Sequence, residues 1–169
     1  MRKLFVVLSA FYLCSFFLTS CSSDDDTSGE NPNQPLQAET RLTVSYGSNP
    51  RQVYDLYLPE GRTQQNTTVI ILVHGGGWTS GDKSDMIQFV NFLRENHPDY
   101  AIANINYVLA EIGVPAFPNQ FLDLGKVVDQ LTAQQNELQI QPQFGLIGTS
   151  AGAHISLMYD YVYDTTNQI

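Results

Sequence analysis

The chain has 169 residues, 43% of them hydrophobic, which is enough for the core of one domain. Eight Lys and Arg against 17 Asp and Glu leave a formal charge of −9, which argues against a nucleic-acid partner and against a polybasic membrane patch. No internal repeat is present.

The N-terminus reads as a targeting segment. Arg2-Lys3 form a basic start and Leu4 to Leu18 an apolar run, short for the ~20 residues of a membrane span. Leu18-Thr19-Ser20-Cys21 resembles a bacterial lipoprotein signal, in which the cysteine is lipidated and becomes the new N-terminus. That resemblance implies an exported protein held on the bacterial outer membrane through Cys21, facing the periplasm or the cell surface. Cys14 would leave with the signal, so no disulfide is expected and the fold must stand on its core. Ser22 to Glu39 is polar and acidic, with Gly29, Pro32 and Pro35, and reads as a flexible tether. Its Asp24-Asp25-Asp26 run resembles the export signal of some surface-displayed lipoproteins; plain solvation of the tether is the alternative. It lacks the ligand spacing of an EF-hand, and no metal or cofactor is expected. The expected organisation is a signal at 1–20, a tether at 21–40 and a folded region at 41–169.

Within the folded region, Leu42 to Tyr46 and Val53 to Leu58 read as strands joined by a turn at Gly47, Asn49 and Pro50. Val69 to Val73 is a continuous apolar run, as in a buried parallel strand. Ser84 is expected to cap a helix that buries Met86, Phe89, Val90 and Leu93. A strand at Tyr100 to Ile105 follows, then a loop at Pro115 to Pro118. Phe121, Leu124, Val128 and Leu131 fall on one helical face. Phe144 to Ile147 is the last strand. Ile155, Met158, Tyr159 and Val162 recur at helical spacing after it. Strands alternating with helices imply an α/β fold with a mostly parallel sheet.

Two motifs carry chemistry. Gly148-Thr149-Ser150-Ala151-Gly152 is a G-x-S-x-G turn between a strand and a helix, which lifts a serine hydroxyl clear of the fold. His74-Gly75-Gly76-Gly77-Trp78 ends the preceding buried strand, and its glycines free backbone N–H groups to face a developing oxyanion. Each alone is equally a tight turn; the pair, in this order and after apolar strands, points to acyl transfer.

The stretch from Arg41 to Tyr163 resembles the N-terminal half of an α/β-hydrolase, and is most similar to HGGG-type carboxylesterases of the hormone-sensitive-lipase-like and feruloyl or acetyl-xylan esterase-like branch. Beyond the two motifs, the resemblance rests on Asp55-Leu56-Tyr57-Leu58-Pro59, Gly81-Asp82-Lys83, Asn106-Tyr107, Phe117-Pro118 with Asp123, and Ser150-Ala151-Gly152-Ala153-His154. Two departures are visible. Val108 stands where the family carries Arg, and Ala153 replaces a glycine. The resemblance implies the strand order one, two, four, three, five. It also implies Ser150 as nucleophile, and an oxyanion hole from the N–H groups of Gly76, Gly77 and Ala151, with Gly75 a weaker candidate. The family's catalytic Asp and His follow later strands and match no position here.

None of the three histidines reads as the missing base. His74 is expected to brace the oxyanion loop, His97 to be an exposed helix-end residue, and His154, one turn below Ser150, to be packed and satisfied. Trp78, Tyr107 and Phe117 line either an acyl or sugar pocket or the core, with Tyr107 leaning to core. The function expected is a serine hydrolase of carboxylic esters, acting on a small ester or acylated carbohydrate such as polysaccharide side groups, with the sequence stopping before the Asp and His. The alternatives are an inactive lipoprotein fragment or pseudoenzyme, and an α/β-hydrolase of amide or peptide bonds.

Overall fold

The computed structural model describes residues 35–169. The signal, Cys21 and the tether through residue 34 lie outside the described residues.

Five strands form one sheet: β1 (Glu39–Ser45), β2 (Val53–Leu58), β3 (Val69–Val73), β4 (Ala101–Ile105) and β5 (Phe144–Gly148). Their order is β1-β2-β4-β3-β5, as the resemblance implied. β2 is antiparallel to both β1 and β4, whereas β3 is parallel to β4 and β5. Four strands therefore run one way and β2 alone runs the other. β1 starts at Glu39, inside the stretch read as tether, and is kinked by an irregularity between Arg41 and Val44. There the Asp55 carboxylate accepts the Thr43 N–H at 2.8 Å.

Helices cover both faces: α1 (Ile87–Asn96) on one, and α2 (Asn119–Ala133) and α4 (Ala151–Met158) on the other, with a short α3 at Gln135–Leu138. The period-two alternation of strands sorts the core. Val69, Ile71 and Val73 of β3 join Ala103, Ile105, Phe121, Leu124, Val128 and Ile155 in the larger cluster. The residue between, Leu72, joins Met86, Val90, Leu93 and Ile102 under α1. Each such buried aliphatic side chain contributes about 1.5–3 kcal/mol.

Three local expectations are corrected. The cap before α1 is Asp82, whose carboxylate accepts the Ser84 N–H at 2.9 Å, and the chain first makes a 3₁₀ turn at Lys83–Met86. An extended residue two positions before a donor is the better acceptor, so Ser84 is already inside the turn. Phe89 is exposed, because the 3₁₀ turn shifts the phase and leaves Met86, Val90 and Leu93 facing inward. After Met158 the helix widens into a π turn at Tyr159–Tyr163, which keeps Tyr159 buried and turns Val162 out to solvent.

Candidate active site

The site lies at the C-terminal ends of β3 and β5, which are neighbours paired Val73 to Gly148. In parallel α/β sheets, loops at this end converge on ligands.

Ser150 follows β5 with φ 50° and ψ −116°, a conformation that costs a non-glycine residue of order 1–3 kcal/mol. It occupies the N-cap position of α4, yet its hydroxyl makes no cap bond. The hydroxyl is thus not spent on the helix and the residue is exposed. The flanking glycines make the turn possible. A Cβ at Gly152 would overlap the carbonyls of Val73 and His74, and one at Gly148 would overlap the backbone of Gly152. The first turn of α4 therefore lies directly against the end of β3. The Thr149 N–H donates to the Val73 carbonyl at 3.2 Å and closes the junction.

The loop after β3 faces this turn. A side chain at Gly75 would come within 2.9 Å of the Thr149 carbonyl oxygen and 3.3 Å of the Ser150 Cβ. Its carbonyls are pinned away from that face. His74 Nδ1–H donates to the Gly75 carbonyl at 2.6 Å, and the Gly76 carbonyl accepts from Ser80 through its N–H at 3.0 Å and its hydroxyl at 2.7 Å. A trans peptide points its N–H opposite to its C=O. Pinning the Gly75 and Gly76 carbonyls therefore turns the N–H groups of Gly76 and Gly77 the other way. Neither N–H has a partner among the described residues, and the Ala151 N–H is one of the free donors that open α4.

His74 is fully buried and its ring stacks on Tyr107 at 4.3 Å. Burial lowers its pKa, which keeps the ring neutral; Nδ1 carries the proton and Nε2 is buried without a partner. The Tyr107 hydroxyl donates to the His74 carbonyl at 3.0 Å, and burial pushes this phenol up to about 12, so it stays a donor. Tyr107 is core, whereas Trp78 and Phe117 are exposed.

Below the loop, Asn106 holds the Asp82 turn from both sides. Its Nδ2 donates to Asp82 at 2.7 Å and its Oδ1 accepts the Lys83 N–H at 2.6 Å. Burial works to raise the Asp82 pKa, but the Ser84 and Asn106 hydrogen bonds and the Arg51 charge outweigh it and bring it to about 2. Asp123, deep in α2, accepts from Gln52 at 2.7 Å, from the Val108 N–H at 3.0 Å and from Lys126 at 2.9 Å. The Val108 departure thus leaves no orphaned carboxylate. Sequence reasoning missed two residues here. Arg51, in the β1–β2 turn, donates to the Gly81 carbonyl at 2.8 Å and the Tyr107 carbonyl at 3.1 Å. Gln120 donates to the Trp78 and Val108 carbonyls. Neither carries a local signal, since each partner is remote in sequence.

His97 is the exposed C-cap of α1, stacked on Tyr100. His154 departs from its expectation. It is exposed and has no hydrogen-bond partner among the described residues; its ring meets Trp78 and Phe121 edge-on, each at 5.7 Å. The side chain leans along α4 into an aromatic neighbourhood that offers no acceptor. Among the described residues no side chain bonds the Ser150 hydroxyl, and no three His, Cys, Asp or Glu converge as metal ligands.

A strained serine between a parallel strand and a helix, a glycine loop on the adjacent strand and this strand order define the esterase-like α/β-hydrolase fold. Three solved structures show the same architecture. A bifunctional GH43-CE protein of Bacteroides eggerthii superposes with TM-score 0.62 at 19% identity, over 75% of this chain and 16% of its own. Esterase B of Lactobacillus rhamnosis, with a tributyrin phosphonate, gives 0.56 at 21%, over 76% and 42%. A truncated carbohydrate esterase from gut microbiota gives 0.57 at 21%, over 72% and 42%. The chain thus spans less than half the length of each. No curated protein matches it. The BD-FAE family model matches residues 54–168, more than half of the chain, and the chain belongs to that family.

Proposed function

We propose that this chain carries the nucleophile half of a serine esterase. The observation that carries the reading is the apposition of the Gly75–Gly77 loop to Ser150 at adjacent strand ends, with free N–H groups turned away from the pinned carbonyls. Ser150 Oγ would attack an ester carbonyl while the N–H groups of Gly76, Gly77 and Ala151 hold the oxyanion. The alcohol then leaves with a proton, and water releases the acid from Ser150. His74 braces the loop. The reading requires a catalytic Asp and His to complete the set with Ser150, and the family's Asp and His match no position among these 169 residues. The substrate is a small ester or an acylated carbohydrate, supported by the carbohydrate esterase among the similar structures. The protein is exported and anchored through a lipidated Cys21, so it meets such substrates at the outer membrane.

The test is the protein extended by its natural downstream sequence, assayed on p-nitrophenyl acetate and labelled with an alkyl phosphonate. Ser150→Ala should lose the label and about 10⁶ in kcat. Equal rates from the two proteins would overturn the reading. The absence of any described side chain on the Ser150 hydroxyl favours a second reading, an inactive fragment or pseudoenzyme. A stop codon directly after Ile169 supports it, and an in-frame Asp and His at hydrolase spacing exclude it.

A further inference from the structure

Gln120 sits in the first turn of α2, fully buried. Its Nε2 donates to the Trp78 carbonyl at 2.7 Å and to the Val108 carbonyl at 2.9 Å. Two facing carbonyls admit only the nitrogen end of the amide, so its orientation is settled by its partners. The Oε1 is then buried with no partner among the described residues. A side chain kept only to fill space would be better apolar, because an orphaned buried acceptor is a net loss. The amide is kept for what its two N–H bonds do.

They join two loops. Trp78 belongs to the glycine loop after β3, and Val108 to the segment after β4. Trp78 is a non-glycine residue at φ 66°, a left-handed conformation that persists only when its surroundings impose it. Its carbonyl is held twice, by Gln120 and by the Ala110 N–H at 2.9 Å. Rotation about φ of Trp78 swings the Gly77–Trp78 peptide, and the Gly76–Gly77 peptide lies next in the chain. Arg51 joins the same two loops at their other end, from Gly81 to Tyr107.

We propose that Gln120 is a positioning residue: by pinning the Trp78 carbonyl it holds the glycine loop in the shape that aims the Gly76 and Gly77 N–H groups at the oxyanion. This rests on the esterase reading above for its catalytic consequence, but not for its structural one. Gln120 touches no reacting atom. Its loss should misplace donors that matter most in the transition state, lowering kcat while leaving KM.

Trp78 is the single tryptophan of these 169 residues, so with every tryptophan of the downstream sequence replaced by phenylalanine in all proteins compared, emission reads this loop alone. The test compares native protein, Gln120→Glu, Gln120→Met and Gln130→Glu, all in the extended protein with its natural downstream sequence. Glutamate cannot donate to two carbonyls, methionine keeps volume without donors, and Gln130→Glu makes the same chemical change farther along α2. Both Gln120 variants should increase acrylamide quenching of Trp78 and lower kcat by about 10–100-fold, less than the 10²–10³ of losing an oxyanion donor outright. KM should hold, and Gln130→Glu should match native in both readouts. Folding is checked by far-ultraviolet circular dichroism; if Gln120→Glu fails to fold, Gln120→Met decides. Native quenching in folded Gln120→Met overturns the proposal, as does a rise in KM with kcat unchanged. If the native protein shows no Ser150-dependent turnover, the esterase reading falls, and the quenching comparison still decides the loop's anchoring.

Discussion

The turn at Ser150 and the Gly75–Gly81 loop lie side by side, yet they are held in different ways. The turn is held by contact. Gly148 and Gly152 let strand and helix close on each other and on the end of β3, and among the described residues no side chain bonds the serine hydroxyl. The loop is held by side chains reaching in from elsewhere: Arg51 from the β1–β2 turn, Asn106 and Tyr107 after β4, and Gln120 from α2. A junction made by close approach tolerates no added atom but needs no side-chain hydrogen bond to hold it. A loop made by hydrogen bonds can lose one and survive, with its geometry loosened.

That contrast can be broken by mutation. The largest effect is expected from Gly152→Val, whose branched side chain has to displace the Val73 and His74 carbonyls. We expect destabilisation of about 3 kcal/mol, at the upper end for overpacking, read by urea unfolding. A loss under about 0.5 kcal/mol, the level of a neutral surface change, would show that α4 does not rest on β3 as described.

Tyr107→Phe keeps the stacking on His74 and removes one hydroxyl bond to its carbonyl. The expected loss is about 0.5–1.5 kcal/mol. An effect as large as that of Gly152→Val would erase the distinction between contact and hydrogen-bond anchoring.

The smallest effect is a pH dependence. The Asp82 pKa is lowered to about 2 in the fold. A lowered carboxylate pKa means that the unfolded chain binds the proton more readily. Its contribution is therefore complete above the ordinary value of about 3.9 and fades as pH falls towards 2. In unfolding titrations, the stability gap between native protein and Asp82→Asn should be constant at pH 5 to 7 and should close in that acidic window. A gap that widens on acidification would refute the assigned charge state. His74 adds a slope of the same sign at higher pH. Its pKa is lowered by burial, so its contribution is full above about 6.5 and is lost as pH drops towards the native value.

How much was readable in advance follows the same division. The glycines around Ser150 and the apolar runs at Val69 to Val73 and Phe144 to Ile147 are local patterns, and all three reappear as the turn and strands β3 and β5. The α1 start was misread by its cap. Asp82 and Ser84 are both good cap residues, and only the extended backbone of Asp82, with Asn106 against it, chooses between them. His154 was misjudged because helical spacing says which way a ring leans but not what it meets, and here it meets Trp78 and Phe121 rather than an acceptor.

By itself, then, the sequence determined the strand and helix pattern, the strained serine turn and the glycine loop, because each depends on residues within a few positions of one another. Tertiary structure decided where that loop is anchored, through the Trp78 and Gly81 carbonyls pinned by Gln120 and Arg51. Such bonds depend on how far a side chain reaches in space across a folded sheet, and no spacing along the chain encodes that distance.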